Sequence, residues 1–156
     1  MILIKTSITS AYDDLQHELF IGLMGLNKLR SEIPNFSFIY GGFKCGIPEI
    51  TRDDKANYKV VSYCNGLNPV HYVLYENIPG ESLFEVSKKL NGKDFVGIYL
   101  QILYSLDLAV KTCDFTHYDL HSNNIIMRKP FNEKIAIQYR IDIGTKDESI
   151  SYIMTD

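Results

Sequence analysis

The chain has 156 residues, 46% hydrophobic and 22% charged, with a formal net charge of −3. That balance belongs to a globular domain with a core of its own and excludes a disordered polyelectrolyte. With no dense Lys/Arg run, it also argues against a dedicated nucleic-acid or membrane-surface binder.

Ile2, Leu3 and Ile4 read as a buried strand that ends in Lys5, with residues 6–10 as its polar exit. This start lacks the long apolar region of a signal peptide, and no run approaches a membrane span, so a soluble intracellular protein is expected. A helix is predicted from Ser10, with Asp13 and Asp14 in its first turn, where carboxylates favour the free amides and the positive end of the dipole. Leu15, Leu19, Met24 and Leu26 give it an untidy apolar face that continues to Leu29 and Arg30 before Pro34, and Glu18 sits in its middle. Residues 36–40 are rich in strand formers, and Gly41-Gly42 is expected to bend or end that strand. These glycines and Gly46 do not make a phosphate loop, because no helix start follows to offer its amides. Residues 47–57 read as a solvated loop or insertion, residues 58–63 as a short strand, and Asn65-Gly66 as a turn that supports a hairpin. Residues 71–76 form a strand running into Asn77-Ile78-Pro79-Gly80, a break made of strong punctuators.

Residues 81–90 make a short helix stopped by Asn91-Gly92. Phe95, Ile98, Ile102, Leu106, Ala109 and Val110 then repeat at three- and four-residue steps, the clearest amphipathic helix in the chain. Burying each large apolar side chain contributes about 1.5–3 kcal/mol, so this helix is expected to anchor the second half of the chain. It delivers Asp114, Phe115 and Thr116 into the loop from His117 to Asn124, which the apolar Ile125, Ile126 and Met127 follow. After a turn, Ile135, Ile137, Tyr139, Ile141 and Ile143 alternate with polar or small residues as a half-exposed strand. Residues 144–147 supply a second turn, and Ile150, Tyr152 and Met154 alternate again to complete a hairpin. Cys45, Cys64 and Cys113 are odd in number and irregular in spacing, which predicts three reduced thiols and neither a zinc site nor a disulfide framework.

The loop from His117 to Asn124 crowds two histidines, an aspartate and two asparagines between a helix and a strand, more polar chemistry than a connector needs. Asp, Ser and Asn prefer to bond their own backbone in turns. A loop that doubles back can therefore aim Asp119 and Asn124 at one point, where a carboxylate and an amide oxygen suit a hydroxyl nucleophile and a magnesium-bound phosphate. On the loop alone, an Asx-rich turn capping the preceding helix explains the residues equally well.

His117, Asp119, Leu120 and Asn124 resemble the catalytic loop of the protein kinase superfamily, H-R-D-L-x-x-x-N. Tyr118 replaces the usual arginine, so the clamp on a phosphorylated activation loop is absent. His121 replaces a common lysine, a variant similar to that of small-molecule phosphotransferases. The spread of motifs looks most like the divergent kinase-like proteins of large DNA viruses.

The fold this resemblance implies is α+β and two-lobed, with a partial small lobe over residues 1–78 and a partial large lobe over residues 79–156. A complete kinase needs about 250 residues, so parts are expected to be missing. The resemblance makes Lys5 the lysine that holds the α- and β-phosphates of ATP and Glu18 its partner. Glu76, Asn77 and Ile78 become the hinge that binds adenine, with Tyr75 lining the back of the pocket. Asp119 would be the base for a protein or small-molecule hydroxyl, Asn124 a magnesium ligand, His121 a contact to the γ-phosphate, and His117 a brace for the loop. Asp142-Ile143-Gly144 imitates the second metal-binding motif, but Asp142 falls on the polar phase of its strand. A hairpin insertion, with the true Asp-Phe-Gly beyond Asp156, is the preferred reading. A pseudokinase or interaction module that keeps the fold without the chemistry is the rival from another class.

Overall fold

The three apolar residues near the start of the chain form a strand, β1 (Ile2–Thr6), and the helix α1 (Leu15–Ile21) follows. The computed structural model describes residues 2–8, 14–52, 58–128, 137–142 and 149–154, so the predicted helix start at Ser10 and Asp13 lies outside the described residues. From α1 the chain continues through a π-helical turn, Gly22–Leu26, into α2 (Asn27–Leu29). A π turn closes its hydrogen bonds one residue later than an α turn, and the extra residue shifts the phase of the helix. This is why the apolar spacing looked untidy: Leu15, Gly22, Gly25 and Leu29 are buried, whereas Met24, expected on the core face, is exposed.

Contacts divide the chain into two units, residues 1–28 with 37–77, and residues 29–36 with 78–156. In the first, β2 (Ile39–Gly46) begins where the predicted strand was to end and runs through the glycines rather than stopping at them. The register shifts between Ile39 and Gly41, and Gly41 sits at φ 150°, a bulge conformation that glycine adopts without a Cβ penalty. The Asn27 side chain grips the Ile39 backbone on both sides, donating to its carbonyl at 2.7 Å and accepting from its N–H at 2.9 Å. Residues 47–57 are not all loop, because β3 (Glu49–Arg52) pairs antiparallel with β4 (Tyr58–Ser62).

The central strand is β5 (Pro69–Glu76), antiparallel to both β1 and β2 in the order β1-β5-β2. Asn65-Gly66 therefore closes no β4–β5 hairpin; the Gly66 N–H instead donates to the Ile47 carbonyl at 3.0 Å. With neighbours on both edges, β5 holds the fully buried Val70, Tyr72 and Val73. On one face Leu15 and Leu19 of α1 pack with Ile39, Val73 and Tyr75. Elsewhere on β5 the Tyr72 ring stacks on Phe43 with centroids 5.0 Å apart. Its hydroxyl donates to the Gly46 carbonyl at 2.7 Å and accepts from the Cys64 N–H at 3.2 Å.

Cys45 and Cys64 are joined by a disulfide, with Cα atoms 5.0 Å apart, which corrects the expectation of three reduced thiols and leaves Cys113 free. The reason is topological. Cys45 lies opposite Val70 in the β2–β5 register, and Cys64 takes a left-handed φ of 60° in the turn ahead of β5. Strand order sets that approach, and cysteine spacing carries no trace of it.

In the second unit, residues 29–36 bury Leu29 and Ile33, and Arg30 Nη1 ties the segment by donating to the carbonyls of Pro34 at 3.2 Å and Phe36 at 2.9 Å. The division drawn from the sequence had put this segment with the first half. Phe36 meets Phe115 edge to face, with centroids 5.8 Å apart, a contact between distant residues that local patterning does not reveal.

Strand β6 (Gly80–Ser82) leads into the single-turn helix α3 (Leu83–Val86). Ser82 and Glu85 form a reciprocal capping box, and hydrogen bonds from the Ser82 backbone N–H and then its hydroxyl hold the Glu85 carboxyl below its ordinary range. After a 3₁₀ turn, Ser87–Lys89, Asn91 does not stop a helix as expected. It starts one: its side-chain oxygen accepts from the Asp94 N–H at 2.9 Å and caps α4 (Gly92–Cys113).

Helix α4 buries Ile98, Ser105 and Ala109, while Phe95 and Val110, predicted on the core face, are half exposed or more. Ser105 tolerates burial because its hydroxyl donates to the Gln101 carbonyl at 2.7 Å inside the same helix. Among the described residues, α4 alone is long and apolar enough to cross one by length and composition, a test that a core helix also passes. Asp114 ends α4 in the left-handed region at φ 51°, its N–H donating to the Val110 carbonyl at 3.0 Å. Beyond the loop, β7 (Ile126–Arg128) pairs antiparallel with β6, and β8 (Ile137–Asp142) with β9 (Ser149–Met154). Asp142 lies opposite Ser149 at the end of that hairpin, and Ile143 and Gly144 lie outside the described residues.

Candidate active site

The segment from His117 to Asn124 runs between two fixed ends. At one end α4 stops at the left-handed Asp114; at the other, β7 is pinned to β6, and the Ile125 carbonyl accepts from the Leu83 N–H at 2.8 Å. Between them the loop folds on its own polar groups, as its Asx and His content requires. His117 Nδ1 accepts from the Asp119 N–H at 3.2 Å, and the His117 ring stands edge to face on Phe115 with centroids 5.9 Å apart. His121 precedes a 3₁₀ turn, Ser122–Asn124, and its Nδ1 accepts from the Asn123 N–H at 3.3 Å while its carbonyl accepts from the Asn124 N–H at 2.9 Å.

Asp119 and Asn124 meet. Asn124 Nδ2 donates to the Asp119 carbonyl and to Asp119 Oδ2, each at 2.9 Å. Both partners are acceptors, so the amide must present its nitrogen to them, and Oδ1 is left without a donor among the described residues. Asp119 Oδ1 is 3.6 Å from His121 Nε2, and the Asp119 side chain is 80% exposed, open to an incoming group. When His121 is neutral its accepting Nδ1 places the ring proton on Nε2, the nitrogen that faces Asp119. The loop thus gathers one unshielded carboxylate oxygen, one imidazole N–H and one amide oxygen.

Lys5 and Glu18 are joined in the first unit. Lys5 Nζ donates to Glu18 Oε1 at 3.0 Å and Oε2 at 2.7 Å, with the side chains 54% and 40% exposed. At that exposure the pair fixes direction more than it adds stability. The residues proposed as a hinge are less free. The Glu76 N–H donates to the Phe38 carbonyl at 2.7 Å, its carbonyl accepts from the Ser37 hydroxyl at 3.2 Å, and its carboxylate accepts from the Phe38 N–H at 3.2 Å. Asn77 ends the first unit and Ile78 begins the second.

Sequence reasoning named the loop residues but missed Phe36 and Phe115. The aromatic contacts from Phe36 to Phe115 to His117 buttress the loop from behind. Phe115 sits two residues before His117, a local signal that was available; Phe36 gave none.

A metal is also implied by the resemblance, and the donor set tests it. Asn124 Oδ1 is one hard oxygen ligand, and among the described residues no group of three or more His, Cys, Asp or Glu gathers to cage an ion. That fits magnesium carried in on nucleotide phosphates, which needs only one or two protein ligands.

"Probable kinase 098L" of Invertebrate iridescent virus 3 is 29% identical to this chain over 128 residues, covering 81% of the chain and 20% of that protein. "Uncharacterized protein 179R" of Invertebrate iridescent virus 6 is 29% identical over 153 residues, covering 90% of the chain and 11% of that protein. The chain therefore spans a small part of the curated relatives it matches. No protein-family model and no solved structure matches it. These comparisons support a distant viral relative that carries the name of a probable kinase.

Proposed function

We propose that this chain carries the phosphate-transfer loop of an ATP-dependent, protein kinase-like phosphotransferase, which passes the γ-phosphoryl group to a hydroxyl, with protein serine or threonine as the acceptor class. The observation that carries this reading is the double hydrogen bond from Asn124 Nδ2 to Asp119. It holds one Asp119 oxygen from behind and keeps the other exposed, and it turns the amide oxygen of Asn124 away from the carboxylate. The distant likeness to a probable kinase supports the same class.

Asp119 Oδ1 orients the acceptor hydroxyl and takes its proton as the oxygen attacks. His121 Nε2–H, facing that carboxylate, donates to a phosphoryl oxygen as charge develops on it. His117 keeps the Asp119 backbone in place through its Nδ1. Asn124 Oδ1 would hold magnesium, which supplies charge neutralisation on the phosphates when bound. Lys5, directed by Glu18, steadies the α- and β-phosphates, and the backbone of Glu76, Asn77 and Ile78 takes the adenine edge.

The test is Asp119→Ala in the longest polypeptide that contains this sequence, assayed by transfer of labelled γ-phosphate to serine- or threonine-containing protein. A positioned base contributes about 10²–10⁴ in rate, so turnover falls by that factor while magnesium-ATP affinity holds. Full turnover in Asp119→Ala would sink the assignment. Transfer to a small alcohol but not to protein would move the acceptor class.

A further inference from the structure

Tyr75 is a partly buried ring packed against the apolar cluster of Leu15, Ile39 and Val73 in the first unit. In the β1–β5 register it lies opposite Leu3, and Val73 lies opposite Lys5, so Tyr75 and Lys5 are on the same side of the sheet. That side is the one α1 covers, since Leu15, Leu19, Ile39, Val73 and Tyr75 pack together there. Glu18 stands on α1 between Leu15 and Leu19. The Tyr75 hydroxyl is buried and closes no hydrogen bond of proper geometry, an unusual state for a phenol. Burial first, and then the hydrogen bonding and charge of Glu18, push its proton affinity far above the ordinary tyrosine range. A group that cannot ionise there acts toward a carboxylate as a donor.

We propose that Tyr75 is a positioning residue whose hydroxyl donates to the Glu18 carboxylate, making Lys5, Glu18 and Tyr75 one three-membered unit. Glu18 has the capacity. A carboxylate offers about four acceptor sites, and Lys5 Nζ takes one on each oxygen. The ammonium holds the carboxylate from the exposed side and the phenol from the buried side, so Glu18 has one orientation and Lys5 follows it. This removes the cost of the orphaned hydroxyl. The consequence for phosphate binding rests on the function proposed above; the hydrogen bond itself does not.

The experiment therefore reads the bond without turnover. Protein labelled with 13Cζ-tyrosine is observed by NMR at neutral pH, the Tyr75 resonance being identified by its absence in Tyr75→Phe. Glu18→Gln is expected to shift that resonance, since the phenol loses its carboxylate acceptor. A Tyr75 signal unmoved by Glu18→Gln would overturn the proposal. A second reading avoids that variant: in Tyr75→Phe the Lys5 ammonium protons are expected to exchange with water several-fold faster than in the parent, and an unchanged rate would also overturn it. The exchange rate is the deciding readout: loss of the Glu18 charge moves the Tyr75 resonance by electrostatics alone, whereas a merely packed ring predicts no change in Lys5 exchange in Tyr75→Phe, because phenylalanine keeps the ring. If both effects appear while Lys5→Met leaves magnesium-ATP affinity intact, the three-membered unit stands and the nucleotide role of Lys5 fails.

Discussion

Asn124→Asp probes what the amide nitrogen does, because it keeps the size and the ligand oxygen while replacing the donor with a charged acceptor. In the parent, Nδ2 donates to the Asp119 carbonyl and to Oδ2, each at 2.9 Å. A hydrogen bond to a charged group contributes about 1.5–3 kcal/mol when buried, and exposure of Asp119 brings that to the low end, about 1–1.5 kcal/mol. The substitution also sets a second carboxylate against the first, which costs about 1 kcal/mol at 4 Å in a water-like surrounding. The sum, about 2–2.5 kcal/mol against the poised loop, corresponds to a population about 30- to 70-fold smaller. Asn124→Ala lacks the repulsion and loses about tenfold.

Hydrogen exchange at the amides of Asp119, Asn123 and Asn124 reads this directly, since each donates inside the loop. Exchange is expected to be fastest in Asn124→Asp, intermediate in Asn124→Ala and slowest in the parent. Rates in Asn124→Asp equal to the parent would refute the view that this amide organises the loop.

A double-mutant cycle on Lys5→Met and Glu18→Gln is expected to give a stability coupling below about 1 kcal/mol by urea denaturation, because both side chains are about half exposed; a larger value would mean the pair is a structural keystone. Tyr72→Phe keeps the ring stack and strips the partners from the Gly46 carbonyl and the Cys64 N–H, so it should cost about 2–4 kcal/mol by the same measurement. Alkylation of the folded protein without reductant, followed by mass spectrometry, should label Cys113 and spare Cys45 and Cys64. Labelling of all three would remove the disulfide.

What could be read in advance was local. Asp119 and Asn124 are five positions apart in a run of turn-forming residues, and their hydrogen bond follows from short-range geometry. The long helix was legible from its apolar repeat, although its buried stripe runs through Ser105 rather than Phe95 and Val110, because a serine that bonds its own helix can be buried at little cost. What could not be read depends on partners far away in the chain. The π turn at Gly22–Leu26 breaks the helical period itself, so Met24 falls outside it. The place of β5 between β1 and β2 decides both the disulfide and the fate of the Asn65-Gly66 turn. Bulged glycines look like breakers in one dimension, and Gly41 is inside a strand.

The grip of Asn27 on Ile39 has a consequence for how the sheet avoids sticking. In the order β1-β5-β2, the outer side of β2 is a rim whose peptide groups could template an added strand. A side-chain amide has the same donor and acceptor as a peptide bond, and by engaging both groups of Ile39 it acts as a one-residue counterfeit strand. The rim is stoppered at that point by a residue of the chain itself, which guards against sheet-to-sheet accretion without lengthening the sheet.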